Sequence, residues 1–174
     1  MSIVSQKIPV KLITRWFECE LGLIEIAVNI ANNKHPVFWH IEFKQQSELN
    51  DILNKDKHPL LDLGETQLKE YFAGHRKTFS DILCYMSDYG TDFQKKCWKT
   101  LIEIPFGETR SYGEQAKRLN NPKAVRAVGG ANSKNPLAIV VPCHRVIGAN
   151  GSLTGYASGV DKKQWLIHFE KSLS

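Results

Sequence analysis

No uninterrupted apolar run in the 174-residue chain approaches the roughly 20 residues that a transmembrane helix needs, so no membrane role is expected. Cysteines are few: Cys19, Cys84, Cys97 and Cys143 lie far apart with no C-x-x-C pair, which excludes a disulfide scaffold. Free thiols in a reducing cytosol are the simplest account, and the expected compartment is the cytoplasm. Met1 to Gln6 is short and polar, and the next apolar run is broken by Lys11 and Arg15, so no secretory signal is expected. Metal-ligand spacing is missing too. His35, His40, His58 and His75 stand singly and make no ligand set with Cys19, so neither a metal nor another cofactor is expected.

What is present is ordinary in amount and uneven in distribution. With 42% hydrophobic and 24% charged residues, the chain can bury one sizeable core or two small ones. The net charge of +5 conceals an asymmetry: residues 1–90 carry ten Lys/Arg against twelve Asp/Glu, and residues 91–174 carry thirteen against six. A basic second half suits a polyanion such as nucleic acid, and an unevenly charged solvated surface is the alternative.

Residues 8–17 and 21–30 are rich in Val, Ile, Leu, Phe and Trp around Glu18, Glu20 and Gly22, which predicts a β-hairpin, with Val37 to Phe43 as a third strand. Pro59 to Gly64 reads as a connector. Glu65 to Ala73 reads as a helix, with Leu68, Tyr71 and Phe72 on one face and Gly74 as its stop. Nothing before Ser80 has a chemical pattern. After a connector from Ser80 to Gly90, Thr91 or Asp92 caps a helix whose buried stripe is Phe93, Cys97, Trp98, Leu101 and Ile102, so Cys97 belongs to the core. A short helix from Tyr112 or Gly113 to Leu119 follows, and then Asn121-Pro122 as N-cap and first position of another. Two short helices across a tight turn have the pattern of a helix-turn-helix.

The second of these helices is small-faced, with Ala124, Ala127, Gly129, Gly130 and Ala131 beside Lys123 and Arg126. Few long polar side chains are available to read base edges. Shape and phosphate contacts in the minor groove fit better, and tight packing within the chain's own domain is the alternative. Asn132 to Pro136 is a loop feeding Ile139-Val140-Val141, whose β-branched run predicts a buried strand that Pro142 stops. Cys143 then sits just past a rigid element beside His144 and Arg145, an environment that lowers a thiol pKa. Taken alone, a Cys-His pair more often marks a structural cysteine. Gly148 to Gly159, around Tyr156, can shape a pocket wall. A last helix starts near Asp161 and buries Trp165, Leu166 and Phe169. Glu170 lies at the unfavourable dipole end, which pairing with an imidazole explains, although an exposed glutamate near a chain end is the simpler account.

These residues together resemble the O6-alkylguanine-DNA alkyltransferases, or methylated-DNA–protein-cysteine methyltransferases. Pro142-Cys143-His144-Arg145-Val146 matches that family's active-site motif. Gly90-Thr91-Asp92-Phe93-Gln94, Ile104 to Thr109, Ser111-Tyr112-Gly113, Arg126-Ala127-Val128-Gly129, Asn135-Pro136 and Gly155-Tyr156 follow in the family's order. The match is close from about Leu68 to Glu170 and loose before it. The resemblance implies an α+β protein: an N-terminal ribonuclease-H-like α/β domain over 1–88, then a mainly helical C-terminal domain over 89–174 that carries the helix-turn-helix. It implies DNA repair by irreversible, stoichiometric transfer of the alkyl group of O6-alkylguanine in duplex DNA to the protein's own cysteine after base flipping, with O4-alkylthymine a second candidate substrate.

The resemblance also implies roles. Cys143 is the nucleophile, His144 takes its proton through water, and Glu170 holds the imidazolium. Tyr112 protonates the leaving base, and Asn135 orients the site's loop. Val146, Tyr156, Ala157 and Ser158 contact the flipped base. Arg126 fills the gap in the duplex, with Lys123, Ala124, Ala127 and Gly129 at the minor groove. Ala157 and Ser158 depart from side chains found in some members, which bears on tolerance for bulky alkyl groups. No metal ligand set is visible, and the implied protein is a monomer whose partner is double-stranded DNA. Two other classes compete: a damage-binding relative without the cysteine, which Cys143 argues against, and a helix-turn-helix regulator with a structural cysteine.

Overall fold

The computed structural model describes residues 9–45, 47 and 56–174, so the expected strand start at Ile8 and the polar N-terminus lie outside the described residues. Three strands form one antiparallel sheet in the order β1 (Leu12–Cys19), β2 (Gly22–Asn29), β3 (Val37–Lys44). The register pairs Phe17 with Ile24 and Ile26 with Ile41, so apolar side chains of all three strands share one face. Against that face lies α1 (Pro59–Phe72). Gly64 makes this approach possible, because a Cβ there would come 3.0 Å from Phe38 and 3.2 Å from Ile26. The connector expected over Pro59 to Gly64 is therefore helix: His58 accepts from the Leu60 N–H as N-cap, and Pro59, with no N–H to lose, opens the first turn.

The expected connector from Ser80 to Gly90 holds a one-turn helix, α2 (Ser80–Leu83), and Met86 makes a bridge to Phe38. Thr91 caps α3 (Asp92–Ile102) in a capping box with Gln94. β4 (Arg110–Ser111) leads into α4 (Tyr112–Arg118), again through a capping box, Ser111 with Glu114. The next helix, α5 (Val125–Asn132), starts later than expected. Asn121 and Pro122 lie in the preceding turn, and Ala124 stands at the N-cap without a side-chain bond. α3, α4 and α5 are locked together by a reciprocal buried amide pair. Asn132 Nδ2 donates to Gln115 Oε1 at 2.7 Å, and Gln115 Nε2 donates to Asn132 Oδ1 and to the Cys97 carbonyl, each at 3.2 Å. Trp98 adds a bond to the Ala131 carbonyl at 3.0 Å.

The expected strand over Ile139 to Val141 does not form. Leu137 makes one parallel bridge to β3, with Ile41 N–H donating to Pro136 O and Ala138 N–H to Ile41 O, each at 2.8 Å. Ile139 then takes a positive φ of 71° and turns the chain away. The β-branched run is buried all the same, since Ile139, Val140 and Val141 fill the core beneath the loop. Cys143–Arg145 is one turn of 3-10 helix, and β5 (Val146–Ile147) pairs parallel with β4. The last helix, α6 (Val160–Ser172), packs on that turn. One contiguous cluster of buried apolar residues runs from Phe17 through Trp98 to Leu166. Among the described residues, no helix is long and apolar enough to cross a membrane.

Candidate active site

Cys143 lines a cavity of about 450 Å³. One wall is the Gly155–Ser158 segment, another is Asn132, Ser133 and Asn135 from the end of α5, and a third is Ile41 to Gln45 of the sheet. Tyr156, Ala157 and Ser158 thus line the same cavity as the thiol. Val146 is fully buried in β5 and is not among the cavity's lining residues. Asn135 ties the loop together: its Nδ2 donates to the Val141 carbonyl at 2.7 Å and to Cys143 Sγ at 3.3 Å, while its Oδ1 accepts from Leu137 N–H at 3.0 Å.

The thiol's electrostatics differ from the sequence expectation. Burial raises the Cys143 pKa, opposed by the Asn135 hydrogen bond, the Lys163 charge and the backbone. Arg145, expected to assist, is turned elsewhere. Cys97 offers a contrast, since burial alone pushes it up to about 11 and nothing opposes it. The two thiols differ in partners, and only Cys143 has groups that favour the anion.

Arg145 and His144 both reach Glu170, which is buried at 1% exposure and not the exposed chain-end glutamate of the simpler reading. His144 Nε2 lies 2.8 Å from Glu170 Oε1. Arg145 donates from Nε to Oε2 at 2.8 Å and from Nη2 to Oε1 at 2.9 Å, a bidentate pair, while its Nη1 bonds the Ile104 carbonyl at 2.6 Å. Gly107 N–H reaches Oε2 at 3.2 Å from a turn with φ of 81°, where a Cβ would strike Ser174. Burial opposes the charge on Glu170, but the His144 and Arg145 contacts outweigh it and hold the carboxyl well below the usual range.

An ionised Glu170 fixes the histidine tautomer. Nε2 carries the hydrogen that the carboxylate accepts, so a neutral ring keeps its lone pair on Nδ1. That Nδ1 is buried and has no hydrogen-bond partner among the described residues. Burial lowers the His144 pKa, and Arg145 and Lys163 add to this while Glu170 pulls the other way. The resting ring is therefore a neutral base with one free site.

Three residues have roles that sequence reasoning did not assign. Lys163 is fully buried, its Nζ donates to the Thr154 carbonyl at 2.8 Å, and it lies 5.6 Å from the Tyr112 ring centroid. Its signal was present: Lys163, Leu166 and Glu170 share one helical face, and a lysine and a glutamate on a buried stripe are out of place unless paired. The Tyr112 hydroxyl donates to that same Thr154 carbonyl at 3.1 Å. Tyr71 of α1 donates to Glu170 Oε1 at 2.8 Å, across 99 residues of sequence. Arg145 serves as the carboxylate's counter-ion.

Arg126 and Ala127 are exposed on the outer face of α5, as is Lys123 in the turn before it, and Arg126 forms no ion pair among the described residues. A Cβ at Gly130 would meet nothing within 4 Å, and one at Gly129 only the Tyr112 ring at 3.8 Å, so the chain's own packing does not demand glycine at either. A separate group of possible metal ligands, Glu25, His40 and Glu42, converges on the sheet. Lys44 pairs with both carboxylates and already places a cation there, so the group reads as an ion-pair cluster.

The family described as "6-O-methylguanine DNA methyltransferase, DNA binding domain" matches residues 92–172. A "Methylated-DNA--protein-cysteine methyltransferase" of Methanosarcina acetivorans is 60% identical over 156 residues, covering 90% of this chain and 96% of the relative. One of the same name from Methanosarcina mazei is 53% identical over 139 residues, covering 80% and 84%. Among solved structures, Mycobacterium tuberculosis O6-methylguanine methyltransferase superposes with a TM-score of 0.75 at 38% identity, covering 94% of this chain and 95% of that one. The M. tuberculosis protein solved in complex with DNA gives 0.74 at 40%, covering 92% and 94%. With a relative at this identity matched over nearly its whole length, the chain belongs to the methylated-DNA–protein-cysteine methyltransferase family.

Proposed function

We propose that this protein repairs duplex DNA by moving the alkyl group of O6-alkylguanine onto Cys143, once per molecule, after the damaged nucleotide is flipped out of the stack. The observation that carries this reading is the buried Glu170–His144 pair with the imidazole's other nitrogen unpartnered, beside a thiol that lines a cavity large enough for a base. His144 Nδ1 takes the thiol proton through a water molecule, and the thiolate attacks the alkyl carbon in line. The S–C bond forms, the C–O bond breaks, and the electron pair leaves on guanine. Tyr112 protonates the ring nitrogen, and the imidazolium's proton returns to the phenolate through solvent. Because Tyr112 rests on the Thr154 carbonyl, this step exchanges one hydrogen bond for another. Asn135 steadies the loop, and Tyr156, Ala157 and Ser158 receive the base, while the buried Val146 side chain supports the turn from behind.

The base comes out of the duplex because a thiol at the bottom of a cavity does not reach a stacked atom. Arg126 fills the space that is left. Lys123, Ala124, Ala127 and Gly129 lie along the minor groove, with α4 and α5 acting as a helix-turn-helix and residues 89–174 as the DNA-binding and transfer unit. Residues 1–88 form the first unit, a ribonuclease-H-like one, and the protein works as a monomer. A fold that docks a basic, small-faced helix but keeps a structural cysteine would bind DNA without becoming alkylated. Mass spectrometry decides: one equivalent of O6-methylguanine duplex is expected to add one methyl mass at Cys143 and end activity. The same measurement with O4-methylthymine tests the second substrate. Turnover, or an unmodified Cys143, would exclude the proposal.

A further inference from the structure

Glu170 accepts five hydrogen bonds, from His144 Nε2, Arg145 Nε and Nη2, Gly107 N–H and the Tyr71 hydroxyl. Four of these donors come from the turn after α3 and from the Cys-His-Arg turn, within the region matched to the family's DNA-binding domain. The fifth does not. Tyr71 sits on α1, which packs on the sheet, and is itself fully buried. Its ring is held among Phe72, Phe79, Phe106 and Phe169 at centroid distances of 5.3, 5.6, 6.1 and 5.6 Å, so its hydroxyl has little freedom of direction. It points at Oε1, the same oxygen that holds His144.

We propose that Tyr71 is a positioning residue for alkyl transfer: its hydroxyl fixes the Glu170 carboxylate and shares the negative charge on Oε1, so that His144 is oriented while remaining a neutral base. The proposal rests on the transfer reading above. Arg145 alone neutralises the carboxylate's net charge, but it grips both oxygens from one side. Tyr71 approaches from the sheet layer and adds a second direction of restraint. Its hydroxyl stays protonated, since burial and the adjacent Glu170 charge both oppose ionisation. The charged and titratable groups around His144 are Glu170 and Lys163 on α6, Arg145 and Cys143 on its own turn, Tyr156 on the cavity wall, and Tyr71 behind the carboxylate.

Tyr71→Phe removes the hydroxyl and keeps the ring, and Oε1 retains two donors. More negative charge is then left facing His144 Nε2, so the imidazolium is stabilised and the ring holds its proton to higher pH. The acid limb of the pH–rate profile is expected to move up by roughly half a unit, with transfer slowed several-fold on the acid side and unchanged or faster on the alkaline side. A profile lowered by the same factor at every pH, or one that overlays the parent's, overturns the proposal. The His144 ring resonance, assigned with His144→Gln among six histidines, gives a second readout that needs no transfer activity. Its titration midpoint is expected to rise in Tyr71→Phe, and a midpoint equal to the parent's overturns the proposal even if the parent proves not to be a methyltransferase. Melting temperatures and affinity for undamaged duplex are expected to stay near the parent's values.

Discussion

At the scale of single residues, the site is a balance of buried charges in which one group serves several neighbours. Lys163 illustrates this, because it favours the Cys143 thiolate while holding the Thr154 carbonyl that Tyr112 also uses. Lys163→Met removes the charge, so the thiol pKa rises further. Reaction of Cys143 with iodoacetamide is expected to slow at neutral pH, with its pH midpoint displaced upward. An unmoved midpoint would leave Lys163 with a packing role only. Glu170 likewise serves both His144 and Arg145, which alters what its removal means. Glu170→Gln strands the Arg145 guanidinium in the interior and is expected to cost about 3–5 kcal/mol of stability, as well as slowing transfer. The pH dependence has a definite sign. The folded carboxyl titrates below an unfolded glutamate, so its stabilisation is complete above about pH 5 and is lost as pH falls. Acid unfolding followed by circular dichroism is expected to show a downward slope in the parent that is shallower in Glu170→Gln, where Glu25 and Glu65 still contribute.

At the scale of elements, α5 has two unlike faces. Val128, Ala131 and Asn132 are buried against α3 and α4, whereas Ala127 and Gly130 face outward. Gly130→Ala adds a methyl into open space and removes backbone freedom from the unfolded chain, so stability is expected to rise by about 0.5–1 kcal/mol. Ala127→Leu is expected to leave the melting temperature within about 1 °C while weakening duplex binding tenfold or more, since in the proposed docking the DNA backbone approaches closely over the small side chain. A fluorescence anisotropy titration giving parental affinity for Ala127→Leu would remove this face from the DNA contact. The opposite face was legible only in part. The apolar spacing of Val128 and Ala131 is visible in sequence, but the Gln115–Asn132 amide pair that sets the crossing of α4 and α5 joins positions 17 residues apart.

At the scale of the whole molecule, the sheet and the helices meet at the active loop. Residues 136–138 dock on β3 through two backbone hydrogen bonds, and Tyr71 reaches across to Glu170, so the first half of the chain supplies both a cavity wall and a hydrogen bond to the buried carboxylate. In the proposed reading, flipping and chemistry are separable, because Arg126 lies on the outer face of α5 and makes no bond to Glu170 or its partners among the described residues. Arg126→Ala is expected to slow the reaction with O6-methylguanine duplex by tenfold or more, and to leave the reaction with the free alkylated base within about twofold. Equal losses on both substrates would place Arg126 in the fold or in the pocket.

The amino-acid sequence determined the order of the loop motifs around Cys143 and most of the buried stripe of α3, where Cys97, Trp98 and Leu101 are buried although Ile102 is exposed. These depend on local identity and on helical periodicity, which short-range sterics enforce. Tertiary structure decided the rest. Ile139 to Val141 looks like a strand by composition, yet the edge of β3 takes only Leu137 and Ala138, and the positive φ at Ile139 turns the next residues into a buried corner. Arg145 looked like an activator of its neighbour in sequence and became the counter-ion of a glutamate 25 residues away. Glu170 read as a solvated helix end and is buried under donors drawn from α1, the turn after α3 and the Cys-His-Arg turn. Charge and hydrogen bonding act over ångströms of space and through the desolvation that packing creates, and neither quantity is written in the spacing of residues along the chain.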